Sequence, residues 1–225
     1  MVAPEDNVYI LPSTLSFEEG SLVEAYGVAV HALSMVPVNP GDLVAVIGSG
    51  PVGLILAQMA DLSGAASVAV LGKPNGPLSI ARESMGVLPI NVDTTDVSEA
   101  IQTWTNGRGA DVVFEAVGGN VPTLQQATEI AAKRARICMV GGHTAPLILD
   151  TRYARSRELT ITWSFCYSRR DGKKDFQTAL DLLGAGKLKP TPLITHRFSL
   201  DEINEAFRVA AGRDQYGSIK VLVMP

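Results

Sequence analysis

Cysteine is scarce: Cys138 and Cys166 are the only two in 225 residues, and both sit in apolar surroundings. That excludes a disulfide-stapled scaffold. They read as buried thiols of an intracellular protein, with a metal pair or a disulfide as the alternative. Histidine is equally thin: His31, His143 and His196 are widely spaced, without an HxxxH or His-Glu pair. No zinc site is expected from them, because such a site needs about three protein ligands. Neither sign of charge dominates, since 19 Lys and Arg stand against 23 Asp and Glu, interspersed, for a formal net charge of -4. Nothing there suggests a nucleic-acid surface. Around Glu5 and Asp6 no basic segment precedes an apolar run, and no run is long enough for a membrane span. Neither a signal peptide nor a membrane partner is expected, and cytoplasmic localisation is the default. Internal repeats and low-complexity stretches are absent.

What is present is a glycine turn in a telling context. Leu43-Val44-Ala45-Val46-Ile47 reads as a buried strand, Gly48-Ser49-Gly50-Pro51-Val52-Gly53 as GxGxxG, and Leu54 to Ala60 as the helix behind it. Gly48 permits the tight turn, Gly50 lets a pyrophosphate approach the backbone, and Gly53 lets the helix pack closely on the sheet. Unpaired N-H groups at the helix start face the phosphates. Pro51 sits near that start, where its missing donor costs little. The alternative is a glycine-rich structural turn in an unrelated domain.

Strands and helices then alternate. Strands are predicted at 67–71, 87–90, 111–116, 135–140 and 159–165, with helices at 78–85, 98–105, 121–132 and 175–183. With the first strand this predicts an α/β fold: a Rossmann-type, doubly wound, mostly parallel sheet of order 3-2-1-4-5-6. The expected boundaries are a flank at 1–26, a dinucleotide-binding domain at 27–187 and a return segment at 188–225. In the first flank, Ser16 with Glu19 forms a capping box that starts a helix running toward Leu33. In the second, Asp201 to Ala211 is helical with Leu200 as a staple, and Ile219 to Val223 is strand-like.

Several segments together resemble the medium-chain dehydrogenase/reductase superfamily, especially its zinc-type polyol and threonine dehydrogenases. They are Leu15-Ser16-Phe17-Glu18-Glu19-Gly20, Leu22-Val23-Glu24, Val28-Ala29-Val30-His31-Ala32 and Val38-Asn39-Pro40-Gly41-Asp42 before the turn. After it come Gly109-Ala110-Asp111-Val112-Val113-Phe114-Glu115-Ala116-Val117-Gly118-Gly119, Pro192-Leu193-Ile194-Thr195-His196-Arg197-Phe198 and Ile219-Lys220-Val221-Leu222-Val223. The resemblance implies an oxidoreductase that moves hydride between NAD(P) and an alcohol or carbonyl. It also implies an N-terminal GroES-like catalytic domain that precedes the point where this chain begins, so the flanks are expected to be short remnants of that domain. On that expectation the chain is catalytically incomplete by itself, and no catalytic residue is assigned. Glu24 matches a glutamate that approaches zinc in polyol dehydrogenases, but a solvated or helix-cap carboxylate is the plainer reading. Tyr26 and His31 either line the cleft or pack on a helix face.

The second strand departs from the pattern. Its end, where an acidic residue accepts the adenosine ribose hydroxyls, falls at Gly72 or Lys73. Lys73, with help from Arg82, pairs there with a 2'-phosphate and favours NADP over NAD; a solvated turn lysine is the alternative. Val117-Gly118 and Gly141-Gly142, after strands four and five, border the ribose and nicotinamide or serve as ordinary tight turns. Asp111 and Glu115 support the strand and its loops. The strand at 159–165 is an edge of apolar and β-branched residues, which invites pairing into a homodimer. Two further functional readings stay open: a shortened nucleotide-binding regulatory or structural protein, and a metal-independent NADPH reductase.

Overall fold

The computed structural model describes residues 2–73, 76–170 and 172–225. Its centre is a six-stranded parallel sheet of order β3-β2-β1-β4-β5-β6. The strands are β1 (Leu43–Ile47), β2 (Ser67–Gly72), β3 (Leu88–Asn91), β4 (Ala110–Glu115), β5 (Ala131–Met139) and β6 (Thr160–Trp163). Alternation along β1, β2 and β4 sends Val44, Val46, Val68, Val70, Val112 and Phe114 into one core and Ala45, Ile47, Ala69, Leu71 and Val113 into another. Burial on both faces is why these strands read as unbroken apolar runs rather than alternating ones.

The helices around the sheet are α1 (Phe17–Gly20), α2 (Val23–Met35), α3 (Pro51–Leu62), α4 (Gly76–Met85), α5 (Val97–Trp104), α6 (Thr123–Ile130), α7 (Thr151–Ser156) and α8 (Asp175–Gly184). The Ser16 capping box is present, but the single helix expected toward Leu33 is two. The Ser21 hydroxyl donates to the Glu18 carbonyl at 2.7 Å, a side-chain bond that competes with helix continuation, and α2 starts afresh at Val23. α6 is shorter than expected and β5 starts earlier, with Arg134 in the left-handed region (φ 65°). β6 keeps four of its seven expected residues, because the chain turns away at Cys166 (φ 56°). Helix α7 lies outside the expected elements; Asp150 caps it by accepting from the Arg152 and Tyr153 N-H groups.

After β6 come the paired β7 (Arg169–Arg170) and β8 (Lys173–Lys174), and beyond α8 follow β9 (Ile194–Ser199), α9 (Ile203–Ala211), α10 (Arg213–Tyr216) and β10 (Lys220–Met224). β9 and β10 pair in parallel. Leu200 is no staple. Ser199 is the cap, in a box with Glu202, and Leu200 is exposed in the first turn. The two flanks meet: Arg197 pairs with Glu18 at 2.7 Å and the Thr191 hydroxyl donates to Glu19 at 2.8 Å. Leu22, Leu193, Ile194, Ile219 and Leu222 of the flanks join the core that holds α2, α3 and α8. The expected GroES-like remnants therefore form no separate domain among the described residues. No helix among them is long and apolar enough to cross a membrane.

Candidate functional site: the carboxyl edge of the sheet

The glycine turn joins β1 to α3 at the sheet's carboxyl edge. Gly48 has φ 115°, a conformation open to glycine, and its N-H donates to Leu71 O at 2.7 Å, tying the turn to β2. A β-carbon at Gly53 would lie 1.9 Å from Gly48 O, so the helix presses directly on the turn. No side chain caps α3 at Gly50, and the bond Leu54 N to Gly50 O opens its ladder. The N-H groups of Val52 and Gly53 therefore precede the intrahelical bonds and point out of the helix start.

A second pair of loops leaves β4 and β5 beside it. A β-carbon at Gly118 would meet Gly142 O at 2.6 Å, and one at Gly141 would meet Gly118 N at 2.3 Å. Glu115 organises this pair. Its carboxylate is fully buried, and Oε1 accepts from Val117 N (2.8 Å), Gly118 N (3.0 Å) and the Thr123 hydroxyl (3.0 Å). Its backbone carbonyl accepts from Val140 N and Gly141 N. Oε2 has no hydrogen-bond partner among the described residues and stands 3.6 Å from His143 Nε2. Asp111 supports β1 and the preceding loop by accepting from Leu43 N (2.9 Å) and Arg108 Nη2 (3.0 Å).

Between the turn and these loops lies a cavity of about 380 Å³. Gly48, Gly50, Gly72, Lys73 and Val117 line it, while Pro51, Val52 and Gly53 form the helix start behind the turn. Gly118, Gly141 and Gly142 shape the adjoining loops rather than the wall. Ser49, Pro77, Val92, Val121, Thr123 and Gln126 line it as well; sequence reasoning missed Ser49 because it fills a variable position of the fingerprint, and the others because their spacing carries no motif. It also missed Arg213 and Asp214, brought in by the C-terminal segment. A larger hollow, about 610 Å³, lies against Tyr9, Lys173, Lys174 and Gln177, but no residue of the six-stranded sheet lines it.

Other candidates fall elsewhere. Tyr26 is core: its hydroxyl donates to Gln58 Oε1 at 3.2 Å, and burial pushes the phenol far above its usual range. His31 Nδ1 sits 2.9 Å from Asp175 Oδ2 between α2 and α8. Glu24 is exposed on the first turn of α2. The cysteines divide: Cys138 is buried, but Cys166 is exposed, against expectation, where the chain turns away from the sheet. Among the described residues no group of three or more His, Cys, Asp and Glu could hold a metal ion.

The zinc-binding dehydrogenase family model matches residues 51–185. The 2-dehydro-3-deoxy-L-galactonate 5-dehydrogenase of Pseudoalteromonas atlantica is 32% identical over 213 residues, which cover 95% of this chain and 60% of that protein. A short chain alcohol dehydrogenase of Escherichia coli CFT073, complexed with NADH, superposes with a TM-score of 0.88 at 25% identity, covering 99% of this chain and 64% of that one. A zinc-binding dehydrogenase of Sinorhizobium meliloti 1021, bound to NADP, gives a TM-score of 0.87 at 27% identity, covering 99% and 64%. The chain thus spans about 60% of the length of these relatives.

Proposed function

The chain belongs to the zinc-binding dehydrogenase family, and from that premise we propose that residues 27–187 are the cofactor-holding part of an oxidoreductase acting on an alcohol, polyol or carbonyl. It carries the NAD(P)-binding Rossmann domain of that family. The observation behind the proposal is the packing of Gly53 on the Gly48 carbonyl, which aims an uncapped helix start at the cavity. A bound nicotinamide supplies the hydride chemistry; the protein binds and orients it. The N-H groups of Val52 and Gly53, with the bare backbone of Gly48 and Gly50, hold the pyrophosphate. Gly72 and Lys73 flank the adenosine ribose, and Val117, Gly118, Gly141 and Gly142 border the nicotinamide ribose. Glu115 keeps those last loops in register.

The described residues do not fit a catalytic zinc, since they offer no cluster of ligands for it. No step is therefore derived through a metal, and no residue of this chain is assigned to proton transfer. The flanks at 1–26 and 188–225 are read as parts of a catalytic lobe that have merged with the cofactor unit. The edge of β6, with Trp163 58% exposed and Phe165 just beyond the strand 86% exposed, is the surface for a homodimer. We read the protein as cytoplasmic, a reading its two free thiols support, and as one without a nucleic-acid partner, in keeping with its balanced charge.

The test is a calorimetric titration of the purified chain with NADH and with NADPH. Saturable binding of at least one is expected; binding of neither contradicts the reading.

A further inference from the structure

In dinucleotide folds the carboxylate that accepts the adenosine ribose hydroxyls and repels a 2'-phosphate ends the second strand. Here that end is Gly72, and a β-carbon there would lie 2.2 Å from Ser49 Oγ. The glycine turn itself leaves no room for a side chain, so the discriminating charge has to come from elsewhere. Among the described residues three charged ones line the cavity, and two of them, Arg213 and Asp214, belong to α10.

The placement of α10 is built into the fold. It ends at Gly217, left-handed at φ 62°, whose carbonyl oxygen would stand 2.8 Å from a β-carbon at Gly76. The following Ser218 is buried and donates to Val209 O at 2.9 Å, while Ile219 N donates to Thr195 Oγ1 at 3.0 Å. The C-terminal segment is thereby pinned on the start of α4. Asp214 Oδ2 then stands 3.6 Å from Lys73 Nζ, and Arg213 Nη1 stands 3.8 Å from the β-carbon position of Gly50. No ion-pair partner of Arg213 occurs among the described residues.

We infer that Arg213 and Asp214, rather than a residue of β2, discriminate between the two nicotinamide dinucleotides. This rests on the cofactor reading above. Arg213 offers a planar fork of donors to a 2'-phosphate. Asp214 opposes it, repelling that phosphate and neutralising Lys73, the cation closest to the missing strand-end carboxylate. The two residues thus act with opposite signs on one choice.

The test is calorimetry with NADH and NADPH on the wild-type chain, Arg213→Ala and Asp214→Asn. The preference for NADPH over NADH is expected to fall by about tenfold in Arg213→Ala and to rise by about tenfold in Asp214→Asn, the scale of one added or removed charge interaction. Both shifts should shrink in high salt, because the charges are exposed. Each ratio is internal to one protein, so a loss of stability that weakens both cofactors alike cannot mimic the effect. A ratio that stays fixed in either variant, or moves the same way in both, overturns the inference alone; equal weakening of both cofactors by Arg213→Ala would make it a pyrophosphate ligand. A wild-type chain that binds neither cofactor overturns the cofactor reading and the inference with it.

Discussion

The carbonyl oxygen of Gly48 occupies the space a side chain at Gly53 would need, with only 1.9 Å between it and the β-carbon position. Gly53→Ala must therefore push α3 off the turn, costing about 1–3 kcal/mol, and cofactor binding is expected to disappear. Gly27→Ala, within α2 and away from the cavity, is the control. Its β-carbon would come no closer than 3.6 Å to its neighbours, so stability and binding should hold. Denaturant unfolding and calorimetry on both variants check this, and a Gly53→Ala protein that binds normally contradicts it.

Glu115 gathers three donors onto one buried oxygen. Glu115→Ala leaves Val117 N, Gly118 N and the Thr123 hydroxyl without that acceptor, so a loss of about 3 kcal/mol or more is expected in urea unfolding. Cofactor affinity should fall too, as the loops after β4 and β5 lose their register. A loss below about 1 kcal/mol would show that the loops hold themselves.

Much of this architecture was legible in the sequence, and what was not has physical causes. The strand order followed from strands buried on both faces and from a fingerprint in which Gly48 and Gly53 answer to close contacts in the fold. The break at Ser21 escaped because Ser21 and Leu22 form a short turn between two helices that no residue pattern marks. Cys166 sits in an apolar stretch, yet the left-handed turn at its own backbone leaves it exposed. Asp214 could not be placed because it meets Lys73 across a tertiary contact that no local spacing announces. In the sequence Lys73 reads either as a partner for a 2'-phosphate or as a solvated turn lysine, and only the fold reveals its acidic neighbour.

The thiols give a pH prediction. Burial pushes Cys138 up to about 12, whereas an unfolded cysteine titrates near about 8.5. Between those values the folded state keeps a proton that the unfolded chain has lost. Stability is therefore full below about pH 8.5 and falls as pH rises through the window, by up to about 1.4 kcal/mol per pH unit. Cys138→Ala should flatten that slope, leaving a residue from Tyr26, which burial also pushes up. An unchanged slope in urea unfolding would contradict the assignment. Mass spectrometry after iodoacetamide at pH 8 should find Cys166 alkylated and Cys138 untouched in the folded protein.

The β6 edge predicts assembly. The wild-type chain should sediment as a dimer of its 23.8 kDa unit, and Trp163→Lys should yield a folded monomer, since edge lysines block strand pairing. A wild-type monomer would rule the edge out as an interface.

The start of α3 is the proposed grip for a dinucleotide pyrophosphate, and an amide-resolved NMR titration of the isotope-labelled chain with NADH would locate it. Saturable shifts are expected to be largest at Ser49, Val52 and Gly53, with smaller ones at Gly72 and Val117. Saturation that leaves the Val52 and Gly53 amides unmoved, or that concentrates on the hollow beside Tyr9 and Lys173, would contradict it.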